Sequence, residues 1–262
     1  MGNRLNGQVA WISGGASGIG EATARLFASE GAGLVIADVA DGQPLADEIN
    51  SAGGNAIYTS CDVSSNDSTA QSIDRTVEEF GGLNVVVNNA GIVQVGLLHE
   101  YAEADWDQLM GVNVKGIFFS LKHAFPHLSR NERSYMVNVG SISSHIGQRL
   151  TPAYTASKGA VLSLTQSIAL DYAASGLRCN CVCPGITDTP MLRHHLNSTS
   201  DPDETLRQRV RRVPINRAMQ PAEVARTILY LSCEDSAGVN GTSLVIDGGY
   251  LAAAEWDTAD DE

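Results

Sequence analysis

The chain predicts an α/β fold: a single domain built on one parallel sheet of about seven strands, doubly wound, with helices on both faces. Three observations carry that expectation. Short apolar runs alternate with longer segments of helical spacing from one end of the chain to the other. The first run ends in a cluster of glycines that opens a helix. No shift in composition marks a linker, and 262 residues suit one such unit. Parallel strands need helical crossovers, and right-handed crossovers lay those helices on the two sheet faces.

In order, residues 8–13 form an apolar strand that ends at Gly14-Gly-Ala-Ser-Gly18-Ile-Gly20, and residues 21–30 are helical through Ala24, Leu26, Phe27 and Ala28. A second strand at 34–37 ends at Asp38, which completes a βαβ unit. A helix at 41–52, a strand at 55–60 and a helix at 67–80 follow. Residues 83–87 are the fourth strand and run into Asn88-Asn-Ala-Gly91. One long helical region spans 102–128, with Asn113 midway, before the fifth strand at 135–139 and Ser141 just beyond it. A helix from Tyr154 to about residue 174, a strand at 178–182, a loop opened by Pro184-Gly185, a helix at 223–231 and a strand at 243–247 complete the series.

Composition narrows the function. Hydrophobic residues make up 43% and charged residues 18%, as in a globular protein with a substantial core. The formal net charge of −13 argues against nucleic acid, whose binding needs a basic face. No apolar run reaches the roughly 20 residues that span a bilayer, and the first residues lack the apolar stretch of a signal peptide, so a soluble cytoplasmic protein is expected. Residues 251–262 read as a solvated acidic tail. Cys179, Cys181 and Cys183 alternate along a strand and read as small core residues; their spacing lacks the usual chelate pattern, and no metal is expected.

Two constellations point to chemistry. Glycines after a strand and at the start of a helix leave backbone amides open to a pyrophosphate, because side chains there would block close approach. Asp38, ending the second strand, is placed to accept hydrogen bonds from an adenosine ribose diol and to repel a 2′-phosphate, which predicts NAD(H) over NADP(H). Asp62, ending the third strand, either reaches the adenine ring or takes a helix-capping or solvated role. The second constellation is Tyr154-Thr-Ala-Ser-Lys158. Residues at i and i+4 share a helix face, so the phenol and ammonium can point into one cleft, where a cation favours the phenolate and suits it to exchange protons with an alcohol or ketone.

Taken together, Gly14-x-x-x-Gly18-x-Gly20, Asn88-Asn-Ala-Gly91, Asn113, Ser141, Tyr154-x-x-x-Lys158 and Pro184-Gly185 resemble the short-chain dehydrogenase/reductase family over roughly residues 5–249. One departure is Ser13, where the family usually has threonine; the hydroxyl is kept, and with it the turn's hydrogen bond. The resemblance implies a Rossmann-like sheet and a catalytic tetrad. In it Tyr154 is the general acid/base, Lys158 lowers its pKa and holds the nicotinamide ribose, Ser141 orients the substrate oxygen, and Asn113 kinks its helix and holds a water. Cofactor contacts implied are Gly14, Ser17, Gly18, Ile19 and Gly20 at the pyrophosphate, Asp38 at the ribose, Asp62 and Val63 near adenine, Asn89, Ala90 and Gly91 along the ribose, and Pro184, Gly185, Ile186 and Thr189 at the carboxamide. Thr189 is favoured over Thr187. A homotetramer is the family's expected assembly.

The substrate is less legible. A polar segment at about 190–214 reads as a lid, with loop or short helix at 191–203 and a helix at 204–212. It carries Arg193, Arg207, Arg209, Arg211 and Arg212. An inward arginine pairs bidentately with a carboxylate, whereas a solvated helix pairs its arginines with Asp201, Asp203 and Glu204. The segments 178–185 and 188–190 are also similar to the cytosolic 3-hydroxybutyrate dehydrogenase-like branch, which tilts the expectation toward a small hydroxy acid or sugar-derived acid. Candidate substrate contacts are Ser141, Tyr154, His145, Arg149, Arg193 and Arg212. Two other readings stand beside this one. An NADPH-type ketoreductase of acyl chains is disfavoured by Asp38 and the acidic charge, and a non-catalytic nucleotide sensor by the intact tetrad.

Overall fold

Seven parallel strands form one sheet in the order β3-β2-β1-β4-β5-β6-β7. The structure is a computed structural model and describes residues 3–197 and 199–253. The strands are β1 (Val9–Ser13), β2 (Gly33–Asp38), β3 (Asn55–Ser60), β4 (Val85–Asn88), β5 (Ser134–Val139), β6 (Leu177–Pro184) and β7 (Ser243–Ile246). Between them run α1 (Gly18–Ser29), α2 (Gln43–Ser51), α3 (Asn66–Phe80), α4 (Glu103–Met110), α5 (Gly116–Leu128), α6 (Pro152–Asp171), α7 (Pro190–Asn197), α8 (Pro202–Val210) and α9 (Pro221–Leu231). The order reverses between β1 and β4. At such a switch point the crossovers diverge and leave a crevice beyond the carboxyl ends of the strands.

The central strands β1, β4 and β5 are buried at every residue, as continuous apolar runs must be when both sheet faces are covered. One layer of core lies where Ile12, Leu34, Ile36, Val85 and Val137 meet α1 and α9. The other lies where Trp11, Val86, Met136 and the three alternating cysteines Cys179, Cys181 and Cys183 meet α3, α5 and α6. Burial pushes the Cys179 thiol far up, as expected of a small core residue without an ionic partner. Trp11 satisfies its indole N–H on the Ser72 hydroxyl at 2.8 Å, so the largest core side chain brings no orphaned donor with it.

Four differences from the sequence reading have local causes. Helix α1 starts at Gly18 rather than residue 21, because Gly18 and Gly20 belong to its first turn. The long helical region is two helices, α4 and α5, joined by a π turn at Gly111–Lys115. Strand β6 runs on to Pro184, which pairs in register with Ile246. The lid is helical on both sides of its loop, since Pro190 and Pro202 each begin a helix. Among the described residues no helix is long and apolar enough to cross a membrane. The acidic tail, from residue 254 onward, lies outside the described residues.

Candidate active site

A cavity of about 930 Å³ opens at the carboxyl ends of the strands and runs from the glycine loop to the lid. Its nucleotide-facing end is built from backbone. Gly14 and Gly18 take positive φ, +59° and +57°, which a side chain resists. A Cβ on Gly14 would come within 2.8 Å of the Ala90 backbone. Ser17, the N-cap of α1, makes no side-chain capping bond, and Ser17, Gly18 and Ile19 at the helix N-terminus line the cavity, the place an anion site takes. The two loops are stitched together: the Ser13 hydroxyl accepts from the backbone amides of Asn89 and Ala90 at 3.1 and 3.2 Å, and the Asn89 side-chain Nδ2 donates to Gly14 O at 2.8 Å. Serine therefore does keep the turn's hydrogen bond.

Asp38 stands on the cavity wall at the end of β2, one oxygen accepting from the Ala16 amide and the other from the Ala40 amide, each at 3.0 Å. Its neighbour Val39 is 72% exposed and brings no charge. Asp62 also reaches the wall, where it accepts from the backbone and hydroxyl of Ser64, while Ser65 is the residue that caps α3. Val63, Ile19, Asn89, Ala90, Gly91, Pro184, Gly185, Ile186 and Thr189 all line the same cavity. Thr187 lines it too, and Thr189 in addition caps the first turn of α7 through Leu192 N at 3.3 Å. Gly20 does not line the cavity. A Cβ there would sit 2.0 Å from Gly14 O, so this glycine is required for the loop to pack on its own helix. The residues present thus fit a dinucleotide: a glycine cradle at a helix N-terminus, followed by an acid at the tip of β2.

The catalytic candidates come from three elements. Ser141 follows β5 and Gly140, where the Cys181 and Cys183 sulfurs pack so closely that a Cβ would lie 2.7 Å from one of them. The Ser141 turn is tied to α6 by the Ser144 hydroxyl, which donates to the Lys158 carbonyl at 2.7 Å. Helix α6 starts on Pro152, and its first turns carry Tyr154 and Lys158 into the cavity on one face. The Lys158 ammonium lies 5.5 Å from the centre of the Tyr154 ring and donates to the Val139 carbonyl at 2.8 Å.

In the chain by itself burial dominates both groups. It pushes the Tyr154 phenol up, against a hydrogen bond with Ser141 that lowers it, and pushes the Lys158 ammonium down to about 8. The expected lowering of the tyrosine by the lysine is therefore not a property of these two side chains alone.

Asn113 is 2% exposed and does not line the cavity. Its side chain accepts from Ile92 N at 2.8 Å and donates to Ile92 O at 3.0 Å and to the Ser157 hydroxyl at 2.9 Å, so both its donors are spent. The helix carries a π turn there, and the side chain latches three segments together.

At the lid end the six proposed substrate contacts separate. Ser141, Tyr154, Arg149 and Arg212 line the cavity. His145 does not, because its ring is taken by the Ser243 hydroxyl of β7 at 2.7 Å. Arg193 does not either: its guanidinium forks onto Asp188 at 2.6 and 2.7 Å in an exposed pair. Arg209 and His195 face the cavity instead, together with Ser143, Gln148 and Val95. A helical period through α8 places residues 205, 208, 209 and 212 on one side, which is the signal that separates Arg209 from Arg207 and Arg211.

Fold and site define the class: an oxidoreductase that serves alcohols or ketones with a nicotinamide dinucleotide. Residues 14–251 match the family model described as enoyl-(acyl carrier protein) reductase. A cis-4-hydroxycyclohexanecarboxylate dehydrogenase of Sinomonas cyclohexanicum is 41% identical over 96% of the chain and its own full length. A 2-(R)-hydroxypropyl-CoM dehydrogenase of Xanthobacter autotrophicus is 36% identical over 94% of the chain and 99% of its own. The ligand-free aldohexose dehydrogenase of Thermoplasma acidophilum superposes with a TM-score of 0.90 at 32% identity, covering 99% of this chain and all of that one. The chain belongs to the short-chain dehydrogenase/reductase family.

Proposed function

We propose that this protein is an NAD-linked dehydrogenase of a secondary alcohol bearing a carboxylate, working reversibly on the matching ketone. The observation that carries the reading is the convergence of Tyr154, Ser141 and Lys158 on a cavity whose other end holds the glycine cradle and Asp38. Bound there, the nicotinamide dinucleotide supplies or accepts the hydride at the carbinol carbon. Asp38 favours the unphosphorylated adenosine ribose, because a 2′-phosphate would meet a carboxylate with no cation from Val39 to offset it.

Ser141 is held by its own turn, where its hydroxyl accepts from Ser143 N at 3.1 Å, and it remains able to donate to a substrate oxygen. Tyr154 takes the hydroxyl proton in oxidation and returns it in reduction. Its raised pKa, set by burial against the hydrogen bond with Ser141, makes it the stronger base once ionised. Asn113 acts through Ser157, whose hydroxyl donates to the Tyr154 carbonyl at 2.7 Å and so fixes the first turn of α6. The hydroxy-acid relative, similar over its full length, supports a cyclic or short-chain hydroxy acid as the substrate class. The test is a panel of hydroxy acids, sugar acids and neutral secondary alcohols followed by NADH absorbance, with Tyr154→Phe alongside. The variant should bind NADH and lose about 100-fold or more in kcat; near-parental kcat would remove Tyr154 from the mechanism.

A further inference from the structure

The lid offers five arginines, and the structure sorts them. Arg193 and Arg207 are exposed and each is paired with a neighbouring carboxylate, Asp188 and Glu204. Arg211 is exposed and does not line the cavity. Arg212 lines the cavity from an exposed position and lies over the Tyr250 ring, its guanidinium carbon 5.2 Å from the ring centre. Arg209 alone of the five both lines the cavity and is withdrawn from solvent to an intermediate degree.

The company of Arg209 is unusual for a guanidinium. Its one hydrogen-bond partner among the described residues is a ring nitrogen of His195, Nε2, 3.3 Å from Nη2. No carboxylate pairs with it among those residues, and burial pushes its pKa down with no opposing acid. A charge withdrawn from water and left without a counter-ion is costly, and the cost is offset when an anion arrives. The histidine is pushed down as well, by burial and by Arg209 itself, so at neutral pH its imidazole is uncharged and serves as the acceptor that steadies the guanidinium. The fork keeps other N–H groups for a second partner. Leu192, Thr205 and Gln208 line the cavity beside it, so any such partner enters from the same space that Tyr154 and Ser141 face.

We propose that Arg209, positioned by His195, recognises the carboxylate of the substrate and so sets the preference for hydroxy acids over neutral alcohols. The inference rests on the reading of this cavity as the alcohol site, and it replaces Arg193 with Arg209 as the anion-binding residue. In a chain of formal charge −13, a partly buried guanidinium with no carboxylate partner among the described residues is a local feature of the cavity that draws an acid inward.

The test separates recognition from chemistry by using cyclohexanecarboxylate, which has no hydroxyl to oxidise. Its binding to the full chain saturated with NAD is measured by calorimetry for the parent protein, Arg209→Gln, Arg209→Lys and Arg193→Gln. The expected result is a Kd weakened about 10- to 100-fold in Arg209→Gln, partly restored in Arg209→Lys, and unchanged in Arg193→Gln. Equal affinity in the parent and both Arg209 variants, or no binding by the parent, overturns the proposal. Tighter binding of cyclohexanesulfonate than of the carboxylate overturns the assignment to a carboxylate. Because no turnover is measured, loss of the Tyr154 mechanism would leave this result standing. Conversely, an enzyme active on neutral alcohols with no Arg209 effect would keep the mechanism and remove the inference.

Discussion

The Asn113 side chain donates to the Ser157 hydroxyl at 2.9 Å, and that hydroxyl donates in turn to the carbonyl of Tyr154. The same amide also holds the backbone N–H and C=O of Ile92, so one residue joins the π turn, the loop after β4 and the start of α6. Asn113→Leu keeps the branching of the side chain and removes every partner. It should cost about 2–4 kcal/mol in urea unfolding, because buried groups of Ile92 and Ser157 lose their bonds together. Ser157→Ala should cost less, and a double-mutant cycle should return a coupling of about 0.5–3 kcal/mol. Additive effects would mean that the two side chains do not act as one latch.

The buried Lys158 makes the stability of the cofactor-free protein depend on pH. Its ammonium is pushed down from 10.5 to about 8 in the fold, so between those values the unfolded chain binds more protons than the folded one. Stability therefore rises with pH across that window, and the cost of burying the charge is fully present below pH 8. Tyr154 works the other way above pH 10, since a phenol pushed up in the fold ionises first in the unfolded chain. Between pH 8 and 10 the gain from Lys158 alone should be about 2 kcal/mol, opposed over the same interval by the buried thiols of Cys61, Cys179 and Cys233, which are pushed up in the fold and so ionise first in the unfolded chain. Denaturant titrations at several pH values should show the Lys158 contribution as the difference between the parent protein and Lys158→Met, in which the cysteine contribution is common to both.

Gly20 and Gly159 give opposite expectations for the same substitution. A Cβ at Gly20 would lie 2.0 Å from Gly14 O and 2.7 Å from Asn89 Nδ2, so Gly20→Ala must displace the glycine loop. A loss of about 1–3 kcal/mol and weaker NADH binding should follow. At Gly159, inside α6, a Cβ meets nothing within 4 Å, and Gly159→Ala should gain about 0.5–1 kcal/mol. Thermal melts and NADH fluorescence titrations read both. Equal effects at the two sites would mean that the close packing of the loop is not what requires glycine at 20.

What could be read from the residues alone was the part set by backbone. All seven strands, the crevice-forming alternation, the glycine cradle and Asp38 follow from period, turn chemistry and strand ends, which are local signals. Long-range pairing was not local. His145 sits close in sequence to Ser141 and Tyr154, yet Ser243, nearly a hundred residues away, claims its ring; Arg193, by contrast, is claimed by Asp188 only five residues away. A buried polar chain from Ser120 through Asn88 and Asn138 to Thr165 joins β4 and β5 to two helices, and no single stretch of sequence announces it. The same holds for Asn113. Its position on the long helical region was legible, but the partners that spend its donors come from two other segments.

Coenzyme choice is the expectation with the sharpest reversal test. The Asp38 carboxylate is anchored by the Ala16 and Ala40 amides, so its charge is held at the cavity wall rather than swinging away from it. Val39, beside it and 72% exposed, has room for a long side chain. Asp38→Ser with Val39→Arg removes the repulsion and supplies a cation able to fork onto a phosphate. The ratio of kcat/KM for NADH over NADPH should then fall by at least about 100-fold, which corresponds to about 2.7 kcal/mol. Asp38→Ser alone should account for the smaller share and should cost some stability, because a shorter side chain cannot hold both amides at once. Steady-state kinetics with each coenzyme decides it. A double variant that still discriminates as the parent does would show that the preference is set elsewhere in the cavity.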